Sequence, residues 1–216
     1  MRATLSVDRA LVARLDGFAA AYSAMARFLL APADGALLER LREPGQLKTW
    51  PMPRDLETCR GLKLLADSIS VAETELVLQK DYERLFLGPG SPIAPPYESV
   101  YRTPERLLFD TPTFEVRAAY RSVGLMAPRF NREPDDHLGL EFSFLAVVCS
   151  RGLDALENRD RAGLDEALAI QRRFLSEHLL LWAEQFLGSL EANAKTAFYQ
   201  GVGALGLGVL SQAASW

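Results

Sequence analysis

The chain of 216 residues is 49% hydrophobic and 24% charged, which excludes a disordered polar protein and leaves room for a substantial core in one domain or two joined halves. A net charge of -4 with no basic block argues against nucleic acid and suits a partner that carries basic groups. Cys59 and Cys149 stand far apart in no metal or CxxC spacing, and no apolar run has membrane length or a signal-peptide core, so a cytoplasmic protein that is not membrane-embedded is expected.

In chain order, Leu11, Leu15, Phe18, Tyr22, Met25 and Leu29 recur at three and four, which predicts a helix over 7–31. Pro32 and Gly35 end it, and a short helix over 36–42 stops at Glu43-Pro44-Gly45. The loop 45–53 carries Trp50, read as a packing residue. Helices follow over 55–66 and 69–87. No run alternates as a strand does, so the fold class is all-α.

The segment from Gly88 to Tyr101 holds four prolines in the eight residues 89–96, which forbid a helix and stiffen the backbone. Tyr97 and Tyr101 then stand at the edge of a rigid loop, either as preorganised recognition groups or as caps on the core. Three parts result: residues 1–87, a hinge loop 88–111, and residues 112–216.

Helix signals resume over 112–123. The densest chemistry comes next, in Glu133-Pro134-Asp135-Asp136-His137-Leu138-Gly139-Leu140-Glu141. Pro134 suits a first helical turn, where the acids favour the helix N-terminus, so a helix is expected over 134–156. His137 and Glu141 would share one face. A further helix is expected over 165–187, with Trp182 in its apolar stripe and His178 as a structural residue. The tail spells GxGxxG at Gly201, Gly203 and Gly206, but no strand precedes it, so a closely packed terminal helix is expected instead of a dinucleotide site; an exposed apolar tail joining a dimer is the alternative.

With Glu133-Pro134-Asp135-Asp136-His137 go Tyr82-Glu83-Arg84-Leu85-Phe86-Leu87-Gly88-Pro89, Ala94-Pro95-Pro96-Tyr97-Glu98-Ser99-Val100-Tyr101 and Glu177-His178-Leu179-Leu180-Leu181-Trp182. In these stretches the chain resembles the TorD/DmsD/NarJ family of molybdoenzyme maturation chaperones, and its Ala94-Pro95-Pro96 loop is closest to the TorD/DmsD branch. The resemblance implies a helical, non-enzymatic cytoplasmic chaperone with no cofactor and no metal, existing as a monomer or a homodimer. Its partners would be an apo-molybdoenzyme catalytic subunit and that subunit's twin-arginine leader, with export or cofactor-synthesis proteins as further candidates. The family's peptide-binding residues fall on Tyr97, Ser99, Tyr101, Pro134, Asp136 and His137. The dimethyl sulfoxide type carries Trp where Tyr97 and Tyr101 stand, which leaves the client open.

Charge supports the same picture: Glu133, Asp135, Asp136 and Glu141 are candidate acceptors for a guanidinium pair, and Asp136→Ala is expected to weaken leader binding without unfolding the chain. The competing readings are a small hydrolase or transferase using His137 as base, and a helical scaffold indifferent to arginine.

Overall fold

The computed structural model describes residues 2–88 and 92–216, with side chains described from Arg9 onward, so Pro89, Gly90 and Ser91 of the proline-rich segment lie outside the described residues. Among the described residues ten α-helices follow one another: α1 Arg2–Leu30, α2 Gly35–Arg42, α3 Leu56–Ser70, α4 Glu75–Tyr82, α5 Glu98–Arg102, α6 Thr111–Ser122, α7 Leu138–Glu157, α8 Arg161–Glu177, α9 Ala183–Asn193 and α10 Ala197–Ala213. Among the described residues there is no strand, and the fold is all-α as the sequence predicts.

Most of these helices are started by side chains that accept from otherwise unpaired first-turn N–H groups. Asp34 accepts from Leu37 N at 2.8 Å, Asp55 from Thr58 N at 2.7 Å, and Asp160 from Gly163 N at 3.0 Å. Thr74 caps α4 in the same way, so the helix expected over 69–87 begins only at Glu75. It runs on as a π-helical turn, Glu83–Leu87, that leaves Leu87 exposed.

The core centres on α1 against α7 and on α3 against α10. Leu15, Phe18, Tyr22, Met25 and Leu29 of α1 are fully buried, and Tyr22 stacks on Phe142 of α7 at 5.7 Å. Each such side chain contributes roughly 1.5–3 kcal/mol by leaving water. One core joins the helices on both sides of residues 88–111.

The terminal GxGxxG stretch is the closely packed helix expected, not an exposed tail. A Cβ at Gly61 of α3 would lie 2.7 Å from the Leu205 backbone nitrogen, and one at Gly201 of α10 would lie 3.0 Å from Gly61 O. The missing side chains let two helix backbones touch.

Two further predicted helices are corrected. The helix expected over 165–187 breaks at His178, passes through a 3-10 turn at Leu179–Leu181, and restarts as α9 at Ala183. The helix expected from Pro134 begins at Leu138, because His137 has extended backbone angles and the residues before it pair with another segment. Pro134, Asp135 and Asp136 are therefore not a helical first turn.

Candidate functional site

The pairing that delays α7 is an isolated antiparallel bridge between Tyr97 and His137. Glu98 N donates to Asp136 O at 3.0 Å, and Leu138 N donates to Pro96 O at 2.8 Å. Two loop segments that the sequence singles out are thus clamped through their backbones, immediately ahead of α5 and α7. The approach of α1 is equally close. A Cβ at Gly139 would sit 2.6 Å from Leu30 Cγ, so only glycine lets the end of α1 pack against the start of α7.

These contacts shape a groove with a volume of about 470 Å³. Its apolar lining comes from Leu30, Pro32, Phe86, Leu87, Pro96, Pro128, Pro134 and Leu140, with the aromatic rings of Tyr82 and Tyr97. Tyr82 is fixed by donating its hydroxyl to Leu29 O at 3.0 Å. Tyr97 stands edge-on to His137, with ring centroids 5.2 Å apart. Arg129 and Glu133 are the charged groups of the lining. They form an ion pair with each other on a turn at the groove's edge. Burial raises the phenol of Tyr82 to about 12 and that of Tyr97 above its ordinary value, and the Glu133 charge pushes both the same way.

His137 caps α7. Its Nδ1 accepts from Gly139 N at 3.0 Å, which requires that nitrogen to be unprotonated. Burial lowers the imidazole to about 4, so His137 is neutral at pH 7 and is a weak base there.

The remaining acids of the motif point inward. Asp136, fully buried, accepts from Ser99 N at 2.7 Å through Oδ2 and from Thr113 Oγ1 at 2.7 Å through Oδ1. It thereby ties α5 and α6 to the start of α7. Burial raises its carboxyl, and the hydrogen bonds from Ser99 and Thr113 pull it back. Asp135, also fully buried, takes two hydrogen bonds from Arg117, at 3.0 Å and 2.6 Å, while its carbonyl accepts from Tyr120 Oη at 3.1 Å. Arg117 lies over the Phe130 ring at 4.5 Å, so its charge is held between an aromatic face and a carboxylate.

Glu141 is buried with no donor on either carboxyl oxygen. Burial, together with the charges of Glu98 and Asp136, raises it well above its ordinary value. Glu98 is buried too, but it is paired with Arg102, and His178 Nδ1 lies 3.1 Å from its Oε2. The neighbouring carboxyl groups and the lack of a donor both favour the protonated form of Glu141.

Among the nine residues the sequence nominated, the structure brings Tyr97, Glu133, Pro134 and His137 to the groove. Ser99 lies buried behind it with Asp135, Asp136 and Glu141. Tyr101 faces the other way and packs on Trp182 at 5.4 Å. In this conformation the expected set of four guanidinium acceptors reduces, at the surface, to Glu133. Sequence reading missed the ion-pair partners Arg117 and Arg102, the acceptor Glu98, and Arg129. Glu98 stood inside a quoted stretch, yet nothing local marks its partner at His178. Among the described residues, no group of three His, Cys, Asp or Glu side chains is placed to hold a metal ion.

Residues 53–188 match the family described as nitrate reductase delta subunit. The chain is similar to the probable Tat proofreading chaperone DmsD of Haemophilus influenzae, at 27% identity over 188 residues that cover 86% of this chain and 83% of that one. It is 32% identical over 139 residues to the Tat proofreading chaperone DmsD of Salmonella typhimurium, covering 64% and 61%. Against the chaperone protein TorD of Vibrio cholerae it is 34% identical over 114 residues, covering 53% of this chain and half of that one.

Proposed function

The chain belongs to the nitrate reductase delta subunit family, and from that membership we propose that it is a molybdoenzyme maturation chaperone whose groove binds the twin-arginine leader of its client. It is a binding protein and not an enzyme, in keeping with relatives named as chaperones. No helix among the described residues is long and apolar enough to cross a membrane, and the protein would meet its client in the cytoplasm, before export.

The observation that carries this reading is the groove itself. An apolar, aromatic trough edged by a single carboxylate, Glu133, fits a peptide in which arginine adjoins a moderately apolar stretch. Leu30, Phe86, Leu87, Tyr97 and Leu140 would take the apolar part, and Glu133 a guanidinium. The prolines and the Tyr97–His137 bridge hold the trough open in advance, so little ordering entropy opposes binding. Asp135, Asp136, Ser99 and Glu141 then act on the peptide through the shape they impose. The proline-rich part within residues 88–111 would serve as a hinge for local adjustment to the client, since the helices of residues 1–87 and 112–216 share one core.

Calorimetric titration with twin-arginine leaders of molybdoenzymes from the source organism, each beside its Lys-Lys variant, tests the reading. Micromolar or tighter binding of one leader, weakened by the swap, is the expected result and identifies the client. Equal affinity for both versions would leave a scaffold without arginine recognition.

A further inference from the structure

Among the described residues the groove has one acidic side chain, and it is already occupied. Glu133 is paired with Arg129, four residues earlier on the same turn, and both residues line the groove. The turn holds them in register, since Glu133 N donates to Arg129 O at 3.1 Å and Arg132 N to the same oxygen at 2.9 Å. The Arg129 side chain is 70% exposed and that of Glu133 48%, so water can reach the pair and little besides the partner charge holds it.

We infer that Arg129 is an internal competitor for the guanidinium seat, a built-in arginine that an incoming leader arginine must displace from Glu133. The inference rests on the leader-binding reading of the groove and adds its regulation. A seat kept filled by the chain's own guanidinium resists a lone surface arginine, which must break one ion pair to make another. A leader that also fills the apolar trough has contacts to spare and overcomes the competition. The device thus sets a common cost on any arginine at Glu133, which a lone arginine with no other contact does not recover and a leader that fills the trough does.

The test is a double-mutant cycle on the intact chain, with Arg129→Gln, Glu133→Gln and the pair titrated with the Arg-Arg leader and its Lys-Lys variant. Circular dichroism and thermal melting verify each fold. Exposed ion pairs are worth about 0.2–1 kcal/mol, so Arg129→Gln is expected to tighten the Arg-Arg leader by about 1.4- to fivefold. The gain should vanish on the Glu133→Gln background. A control at the exposed Arg172 of α8, Arg172→Gln, should leave affinity unchanged.

Three results would overturn the inference while leaving leader binding intact. Arg129→Gln could weaken binding, which would make Arg129 a direct contact. It could change nothing. Its gain could persist without Glu133, which would be a general charge effect. If the wild type and every variant ignored the leader, the groove's leader-binding reading would fall, and the competitor role with it.

Discussion

Glu133 and Asp136 stand in the same short stretch, yet one meets water and the other meets none. At the groove's edge, Arg129 and Glu133 form a pair whose partners can be exchanged at little cost. Behind the Tyr97–His137 bridge, Asp135, Asp136 and Glu98 are held by Arg117, Thr113, the Ser99 N–H, Arg102 and His178, and removing one side leaves the other stranded. Residue type does not separate the two regions, since both use carboxylates and guanidinium groups. Solvent access does, and it assigns recognition to the first and construction to the second.

The interior gives the largest expected effect. Asp136→Ala would strand two buried donors, Ser99 N and Thr113 Oγ1, and lower unfolding free energy by about 2–4 kcal/mol in chemical denaturation. This replaces the expectation, drawn from sequence, of lost binding on an unperturbed fold. A loss under about 0.5 kcal/mol would place Asp136 with the edge and erase the contrast.

Glu141→Gln sharpens the comparison through pH. Burial holds the Glu141 carboxyl well above its ordinary 4.5, so the folded chain keeps a proton that the unfolded chain releases. Stability from that proton is whole below the ordinary carboxyl range and falls as pH rises, by up to about 1.4 kcal/mol per pH unit, until Glu141 ionises in place. The Gln variant should lack this slope and be the more stable protein at pH 7. Parallel stability curves for the two chains between pH 5 and 8 would mean that Glu141 is already ionised in the fold.

Tyr97→Ala probes the other region. The edge-on contact with His137 is worth about 1 kcal/mol, so folding should suffer only slightly. Leader affinity should fall about tenfold, equivalent to about 1.4 kcal/mol, because the trough loses its aromatic wall. A stability loss larger than the binding loss would move Tyr97 into the interior group.

Much of this was legible in the sequence. Leu15, Phe18, Tyr22 and Met25 announce α1 by spacing alone, and the isolated GxGxxG is recognisably a packing device because no strand precedes it. The start of α7 was misread for a physical reason. Pro134 and two acids are favourable in a first turn, but their backbone is drawn into a bridge with Pro96 and Glu98, and a tertiary partner outweighs a local preference. The break at His178 was hidden in the same way, since it is held by Glu98, far away in the chain. Which acids face solvent is likewise a property of packing. Nothing in Glu133-Pro134-Asp135-Asp136 says that the first is exposed and the last two are covered until Arg117 and Thr113 are placed beside them.

The bridge that clamps Tyr97 to His137 uses only peptide N–H and C=O groups. Its geometry therefore does not depend on the Tyr97 side chain. The groove can be refurnished by exchanging residues at 97 and along its edge while the frame stays put. A retargeted version, built to accept another leader, need alter only a handful of surface-facing letters.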